Sequence, residues 1–214
     1  MSAYYSACRS AISGAMKVFN GWEVRGREHV PREGALIVAP NHISFWDPPL
    51  VGAAAKRELH FLAKEELFRT PVLGPLIRAY NAIPIRRGMA DLRGLKRAIE
   101  VLEGGDALLV FPEGSRMRGG QLHPARPGIG LLAVSGDATI VPAFVSGTNR
   151  PRRWMTRRER VRIWFGPAQH WRRYAGEGDT EPGRALYQRI GDGVMRDIAA
   201  LRDRQLKAAS RGAA

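Results

Sequence analysis

Short apolar runs alternate along the chain with segments whose apolar residues recur every three or four positions. The short runs are typical of buried strands, and the longer segments are typical of helices that cover a sheet. We predict strands at residues 35–39, 60–63, 82–86, 107–111 and 139–145, and an edge strand at 161–165. We predict helices at residues 47–55, 71–80, 90–103, 128–135 and 182–207. This alternation predicts an α/β fold with a largely parallel sheet flanked by helices.

The N-terminal residues form an amphipathic pattern of their own. Between residues 3 and 19, one side of the predicted helix is apolar and the opposite side carries serine, arginine and lysine. Such a helix lies on a membrane surface or packs on the core of its own domain, and the pattern leaves both alternatives open. We take residues 1–22 as a membrane-associated helix and residues 23–207 as the globular domain. The apolar positions are Tyr5, Cys8, Ile12, Met16 and Phe19, followed by Trp22.

The charge of the chain narrows the choice of partners. The net charge is +14, and 29 of the 34 basic residues are arginine because only five are lysine. Arginine favours bidentate contacts with phosphate, and a basic surface attracts nucleic acid, anionic lipid or an acidic carrier. A genome rich in G and C also fills neutral surface positions with arginine, and this origin of the bias stays open.

Seven of the arginines fall within residues 149–165, together with Trp154, Trp164 and Phe165. Nucleic acid binds such patterns, but we expect an anionic membrane surface or an acidic carrier, and no nucleic acid. A solvated basic face is the plain alternative. The sequence contains no run of about 18 apolar residues, so it predicts no transmembrane helix.

Cysteine and histidine usage argues against a metal site. The single cysteine, Cys8, excludes an internal disulfide, and the five histidines have no pair at the spacing of helical ligands. We therefore predict neither a metal nor a cofactor.

A histidine and an aspartate lie five residues apart where a predicted strand passes into a predicted helix. On one continuous helix, His42 and Asp47 would point about 140° apart. A loop instead allows Asp47 to fold back onto the imidazole, which fixes its tautomer and leaves the other nitrogen as a base. Asp47 is also the predicted N-cap of that helix, with Pro48 at the first helical position. The alternative is that Asp47 does no more than cap the helix and that His42 is an ordinary loop residue.

Polar residues follow three of the predicted strands. They are residues 41–42, 86–87 and 112–114. Carboxyl ends of parallel strands meet at one edge of a sheet, where ligands bind, so these clusters are expected to form one site. Each cluster taken alone is also compatible with an ordinary turn or with solvated surface charge.

Together these residues resemble the glycerolipid acyltransferase family, whose best-known members are the lysophosphatidate acyltransferases. All motif blocks of that family occur here in the family's order. Two departures, Asn81 in place of a glycine and Arg126 in place of a lysine, leave the acceptor preference open. The matching residues are Asn41, His42 and Asp47 for N-H-x-x-x-x-D; Lys64, Glu66, Leu67 and Phe68; residues 82–87, with Arg87 at the motif position; Phe111 to Arg116 for F-P-E-G-[ST]-R; and Ile140, Val141 and Pro142.

The resemblance implies an acyltransferase domain and a reaction without a covalent intermediate. His42, supported by Asp47, would take the proton of an acceptor hydroxyl, which attacks a thioester of coenzyme A or of acyl carrier protein. Arg87 and Lys64 would hold the phosphate of a lysophospholipid acceptor. The resemblance also predicts a peripheral enzyme at the cytoplasmic face of the cell membrane. The remaining residues predicted to bind substrate or shape the site are Glu113, Gly114, Ser115 and Arg116.

Three other interpretations are compatible with parts of the sequence. Ser44, close to His42, is the candidate nucleophile for a covalent route. The acceptor could be another lysolipid or a lipid headgroup rather than 1-acylglycerol-3-phosphate. A non-catalytic basic module that binds lipid or nucleic acid is disfavoured by the intact His42, Asp47 and Glu113.

We predict that Arg87→Ala raises the KM of a phosphate-bearing acceptor at least about tenfold, because a charge-assisted phosphate contact contributes roughly 1.5–3 kcal/mol. The KM of the acyl donor should change little. Steady-state kinetics with each substrate varied in turn measures both constants, and equal effects on the two would contradict this role.

Overall fold

The computed structural model describes residues 3–86, 91–117, 119–176 and 181–211. Arg87 and Ala90, the latter the predicted first residue of a helix, lie outside these ranges. The strands are β1 Glu23–Arg25, β2 Leu36–Pro40, β3 His60–Lys64, β4 Ala82–Ile85, β5 Ala107–Leu109, β6 Thr139–Ser146, β7 Arg162–Phe165 and β8 Gln169–His170. The helices are α1 Ala3–Phe19, α2 Asp47–Ala54, α3 Leu73–Ala79, α4 Leu92–Glu103, α5 Gly128–Ser135, α6 Pro151–Met155, α7 Trp171–Ala175 and α8 Arg184–Arg211.

The strands form one sheet in the order β1-β7-β6-β2-β5-β3-β4, with β8 paired to one end of β6. Strands β2 to β6 are mutually parallel. The two strands β7 and β8 run antiparallel to β6. The prediction of a largely parallel α/β sheet is confirmed. The carboxyl ends of β2, β5 and β6 lie side by side, so the segments that follow them meet at one edge.

Helices cover both faces because successive side chains of the central strands point to opposite sides. Leu36 and Val38 of β2 face a core shared with α1 and α2, whereas Ile37 and Ala39 face a core shared with α4, α5, α7 and α8. All four side chains are fully buried. Parallel sheets buried on both faces require such continuous apolar runs, which is why these strands were readable from sequence.

The predicted edge strand at 161–165 is not an edge. Strand β7 pairs on one side with β6 and on the other with β1, a three-residue strand that the sequence analysis missed. Short polar strands carry little periodicity, and Glu23–Arg25 alternates no apolar residues. The helices α6 and α7 were also missed, because they are too short to show a periodic pattern.

The apolar face of α1 packs on the domain core. Tyr5 and Met16 are 0% and 3% exposed, and Cys8 and Ile12 pack against the same cluster. The Tyr5 ring stacks on Tyr80 with centroids 4.6 Å apart, and the Tyr5 hydroxyl accepts the Leu59 backbone N–H at 3.1 Å. Tyr5 and Met16 therefore face the core of the domain, and the assignment of residues 1–22 as a membrane-associated helix stays a prediction.

At the end of α1, other apolar residues remain exposed. Val18 and Phe19 are 60% and 63% exposed. Within the described ranges, no helix is both long and apolar enough to cross a membrane.

We predict that Tyr5→Ala lowers the free energy of unfolding by about 3–5 kcal/mol, because it removes a buried aromatic ring. Tyr4→Ala is the matched control. Tyr4 is 50% exposed, so its loss should change stability by no more than about 0.5 kcal/mol. Urea denaturation of both variants measures the difference, and equal stabilities would show that α1 is not part of the core.

Candidate active site

Asn41 fixes the segment that leaves β2. Its side-chain amide donates to the Val145 carbonyl oxygen at 3.0 Å, and its carbonyl oxygen accepts the Val145 N–H at 2.7 Å. The side chain thereby continues the pairing of β2 with β6 after β2 has ended. Asn41 is 2% exposed, so both of its polar groups need these partners. This contact sets the position from which His42 projects.

The Asp47 carboxylate is fully buried and accepts four hydrogen bonds. Oδ2 accepts His42 Nδ1 at 2.9 Å and the backbone N–H groups of Ile43 and Ser44, each at 2.7 Å. Oδ1 accepts the Thr148 hydroxyl at 2.5 Å. The residues between His42 and Asp47 therefore form a tight loop that folds around the carboxylate.

The prediction that Asp47 caps the following helix is wrong. Asp47 is the first residue of α2, and the capping position belongs to Trp46, whose side chain makes no cap hydrogen bond. The carboxylate points back to the loop before the helix rather than forward to the N–H groups of its first turn. Pro48 is the second residue of α2 and not the first as predicted, and its missing N–H costs nothing in this first turn.

The contact with Asp47 allows His42 to act as a base. An ionised carboxylate only accepts hydrogen bonds, so Nδ1 carries the proton and Nε2 keeps a lone pair. The imidazole also stacks on Phe111, with ring centroids 3.8 Å apart and planes 20° from parallel. Its ring is thus held on two sides, while the side chain remains 9% exposed.

Thr148 completes the site and was not found from the sequence. It is fully buried two residues after β6, the strand that neighbours β2. Gly147 precedes it at φ 79°, and a Cβ there would lie 2.5 Å from the Arg160 carbonyl oxygen. The sequence does contain a feature that indicates Thr148. Ser-Gly-Thr follows a buried parallel strand, and a residue at that position lies at the same sheet edge as His42.

Glu113 holds the backbone around His42. Its Oε2 accepts the His42 N–H at 2.9 Å, and its Oε1 accepts the His123 N–H at 3.1 Å. Met117 N–H donates to the His42 carbonyl oxygen at 2.8 Å, so the loop after β5 contacts both sides of this residue. Burial raises the pKa of the Glu113 carboxyl, and the two N–H donors partly offset that rise.

The other predicted residues lie around this centre. Gly114 has φ 70°, and a Cβ there would lie 2.6 Å from Arg126 Cδ, so the turn needs glycine. Arg116 places its guanidinium carbon 3.4 Å from the Phe45 ring centroid, at the exposed side of the His42 loop. Ser115 is half-buried in the turn between Gly114 and Arg116. Lys64 is exposed at the carboxyl end of β3.

The structure thus brings His42, Asp47 and Glu113 into direct contact and Arg116 beside them. The Ser44 hydroxyl accepts the Trp46 N–H at 3.2 Å, and the Ser44 N–H donates to Asp47. Ser44 therefore has a structural part in the loop. Within the ranges described, no three His, Cys, Asp or Glu side chains come together as metal ligands do.

A buried carboxylate that orients a histidine base at the carboxyl edge of a parallel sheet suits transfer of a group to a hydroxyl. The chain belongs to the acyltransferase family, whose model matches residues 21–146. The family resemblance of the sequence motifs and the prediction of an acyltransferase are thereby confirmed.

Several known proteins are similar to this chain. A 1-acyl-sn-glycerol-3-phosphate acyltransferase of Bacillus subtilis is 24% identical over 78% of this chain and 82% of that protein. One of Streptococcus pneumoniae is 32% identical, over 68% and 56%. A lyso-ornithine lipid O-acyltransferase of Pseudomonas aeruginosa is 36% identical, over 58% and 48%. The chain thus aligns with most of the first relative and about half of the other two.

The fold has a counterpart of known structure. The crystal structure of the 1-acyl-sn-glycerophosphate (LPA) acyltransferase PlsC from Thermotoga maritima superposes with a TM-score of 0.69 at 25% identity. The superposition covers 92% of this chain and 79% of that one.

We predict that Thr148→Val lowers kcat at least about tenfold, because Asp47 loses a hydrogen bond inside a buried network and the imidazole loses its fixed orientation. Thr70→Val is the control, since the exposed Thr70 hydroxyl also donates a hydrogen bond, to the Leu67 carbonyl oxygen. The donor KM should be unchanged in both. Wild-type turnover by Thr148→Val would show that this contact does not support the base.

Proposed function

We propose that this chain transfers a fatty acyl group from a thioester donor to the free hydroxyl of 1-acylglycerol-3-phosphate, giving phosphatidate. The observation that carries the proposal is the His42 imidazole held by the buried Asp47 carboxylate, in a chain of the acyltransferase family. The names of the Bacillus, Streptococcus and Thermotoga relatives support this acceptor.

The proposed reaction begins with the transfer of one proton to His42. His42 Nε2 takes the proton of the acceptor hydroxyl while that oxygen attacks the thioester carbonyl carbon. The tetrahedral intermediate collapses with cleavage of the carbon–sulfur bond, and the thiolate leaves with the proton from Nε2. Asp47 stabilises the imidazolium that forms in between. The products are an ester and a free thiol, and the imidazole returns to its starting state.

Glu113 acts in this scheme as a positioning residue. Both of its oxygens accept backbone N–H groups, which supports a role in shaping the site over direct contact with the acceptor. Among the described residues, Arg116 beside the His42 loop and Lys64 at the end of β3 are candidates to bind the acceptor phosphate. The family resemblance adds Arg87. Gly114 and Ser115 allow the turn that brings Arg116 there.

A second acceptor class has specific support. The Pseudomonas relative, at 36% identity, is named for acylation of a lyso-ornithine lipid, which carries an amino acid headgroup instead of a phosphate. The chemistry of His42 and Asp47 is the same for both acceptors. Selection between the two therefore depends on which headgroup the enzyme binds.

The enzyme is also proposed to work at the cytoplasmic face of the membrane, because its acceptor is a lipid. We define the docking face as Val18, Phe19, Phe45, Trp46 and Met155, which are 47–65% exposed. The Trp46 ring contacts Trp154 of α6 at 5.8 Å, and the Arg157 side chain donates to the Phe19 carbonyl oxygen at 3.2 Å. The docking face therefore joins the His42 loop, α6 and the end of α1.

Positive charge surrounds the docking face. Arg150, Arg152, Arg153 and Arg157 are exposed on or beside α6. Each arginine near an anionic bilayer contributes about 1 kcal/mol, and apolar contact adds a part that salt does not screen. This combination supports an anionic membrane surface as the partner.

We predict that thiol release from acyl-CoA depends on lysophosphatidate and falls at least about a hundredfold in His42→Ala, because a general base contributes on the order of 10²–10⁴ in rate. His123→Ala is the matched control, since it keeps the backbone N–H that donates to Glu113. A thiol-reactive dye measures the release. Release with lyso-ornithine lipid but not with lysophosphatidate would select the second acceptor class, and normal turnover by His42→Ala would reject the mechanism.

We predict that Met155→Ala weakens binding to anionic vesicles several-fold in low and high salt, because it removes apolar area from the docking face. Leu206→Ala is the matched control, since the two side chains are 62% and 60% exposed and Leu206 lies on α8. Wild-type binding should weaken in high salt without vanishing. Vesicle flotation measures both effects, and equal flotation of the two variants would contradict the assignment of this face.

A further inference from the structure

A polar residue ends the buried stripe of α8. Along this helix, buried residues recur every three or four positions, so one face of α8 packs on the sheet. Five members of the stripe are aliphatic, and the last is Gln205, whose exposed fraction is only 3%. The stripe runs through Leu186, Ile190, Val194, Ile198, Leu201 and Gln205.

The Gln205 side chain contacts the end of β6. Its carbonyl oxygen accepts the Ser146 hydroxyl at 2.5 Å, and Ser146 is the last residue of that strand. The amide nitrogen, Nε2, is buried and has no hydrogen-bond partner within the described ranges. The hydrogen bond to Ser146 is therefore made at the expense of an unpaired donor inside the protein.

This arrangement is unfavourable for the stability of the fold. A buried amide without a partner destabilises a protein, whereas an apolar side chain of similar shape fills the same space without that penalty. Ser146 is half-buried, so water can bind its hydroxyl when the glutamine is replaced. Fold stability alone therefore favours an apolar residue at position 205, and the contact with Ser146 has to contribute something else.

Ser146 begins the segment that leads to Asp47. The register of β6 with β2 ends at Ala143 and its register with β7 ends at Ser146, so strand pairing stops at this point. Thr148, two residues further on, is fully buried, and its hydroxyl donates to Asp47 Oδ1 at 2.5 Å. The α8 contact thus holds the chain where the pairing ends and just before the residue that supports the carboxylate.

We propose that Gln205 is a positioning residue for acyl transfer. It holds Ser146, and through the backbone that follows it sets the position of the Thr148 hydroxyl against Asp47. Asp47 in turn orients the His42 imidazole, so α8 supports the base from the opposite face of the sheet. The inference rests on the proposed function only for the reaction in which this base acts.

Replacement by methionine separates positioning from stability. Gln205→Met keeps an unbranched side chain of similar helix propensity and removes both polar atoms. The urea midpoint should stay the same or rise, because no buried donor is left unpaired. The kcat should fall at least about threefold with the KM of both substrates unchanged, because a small displacement of a catalytic group slows the reaction. Ser210→Ala is the control, since it removes a hydroxyl that donates on the exposed end of α8.

Two further comparisons test the route through β6. Ser146→Ala removes the hydroxyl that Gln205 accepts and should lower kcat to a similar extent, whereas Ser146→Thr keeps a hydroxyl and should restore it. In a Thr148→Val background, Gln205→Met should lower kcat no further, because the contact with Asp47 is already lost. Losses that multiply in the double variant would show that Gln205 acts elsewhere and would overturn the proposal.

NMR of the imidazole tests the inference without any substrate. Gln205→Met should shift the proton signal of His42 Nδ1 in the same direction as Thr148→Val, and Ser210→Ala should leave it unchanged. An unshifted signal in Gln205→Met would overturn the proposal, as would wild-type kcat or a lowered urea midpoint in that variant. Because this signal requires no acceptor, a wild type that is inactive with lysophosphatidate would contradict the proposed function and leave this test intact.

Discussion

The structure of the site depends on one buried carboxylate that must be fully hydrogen-bonded. Asp47 is removed from water, and an ionised carboxylate without partners in the interior costs several kcal/mol. Four donors meet this requirement: one imidazole, two backbone amides and one hydroxyl. The need to satisfy Asp47 dictates the shape of the loop from His42 to Ser44, and that loop shape determines where Nε2 can meet an acceptor.

The residues that donate to Asp47, and the residues that hold these donors in place, follow three parallel strands. His42 follows β2, Thr148 follows β6, and Glu113 follows β5. Asn41 joins the first two segments through Val145, and Glu113 joins the first to the third through the His42 backbone. Each link is a hydrogen bond between buried groups, so loss of one leaves an unpaired partner that costs more than the bond contributes. A base built in this way keeps its orientation without help from the substrate.

Sequence reasoning found the parts of this site that motifs and periodicity encode. The buried runs of β2 and β5 placed His42 and Glu113 at one edge, and the family motif paired His42 with Asp47. The same reasoning assigned Asp47 to a helix cap, because Asp-Pro before an apolar run is a typical helix start. It missed Thr148, since a single hydroxyl after a strand has no periodic signal. For α1, amphipathicity could not distinguish a membrane from a protein core, whereas the structure shows Tyr5 of this helix stacked on Tyr80.

The central claim is that the Asp47 carboxylate fixes the proton of His42 on Nδ1, and ¹⁵N NMR of the imidazole ring measures this directly. When the imidazole is uncharged, the account predicts that the proton is on Nδ1, where it forms the hydrogen bond to Asp47. Nε2 should then have the ¹⁵N chemical shift of an unprotonated nitrogen. Thr148→Val should broaden or shift the Nδ1 proton signal. A neutral His42 with its proton on Nε2 would contradict the account, because the nitrogen assigned as the base would then be a donor.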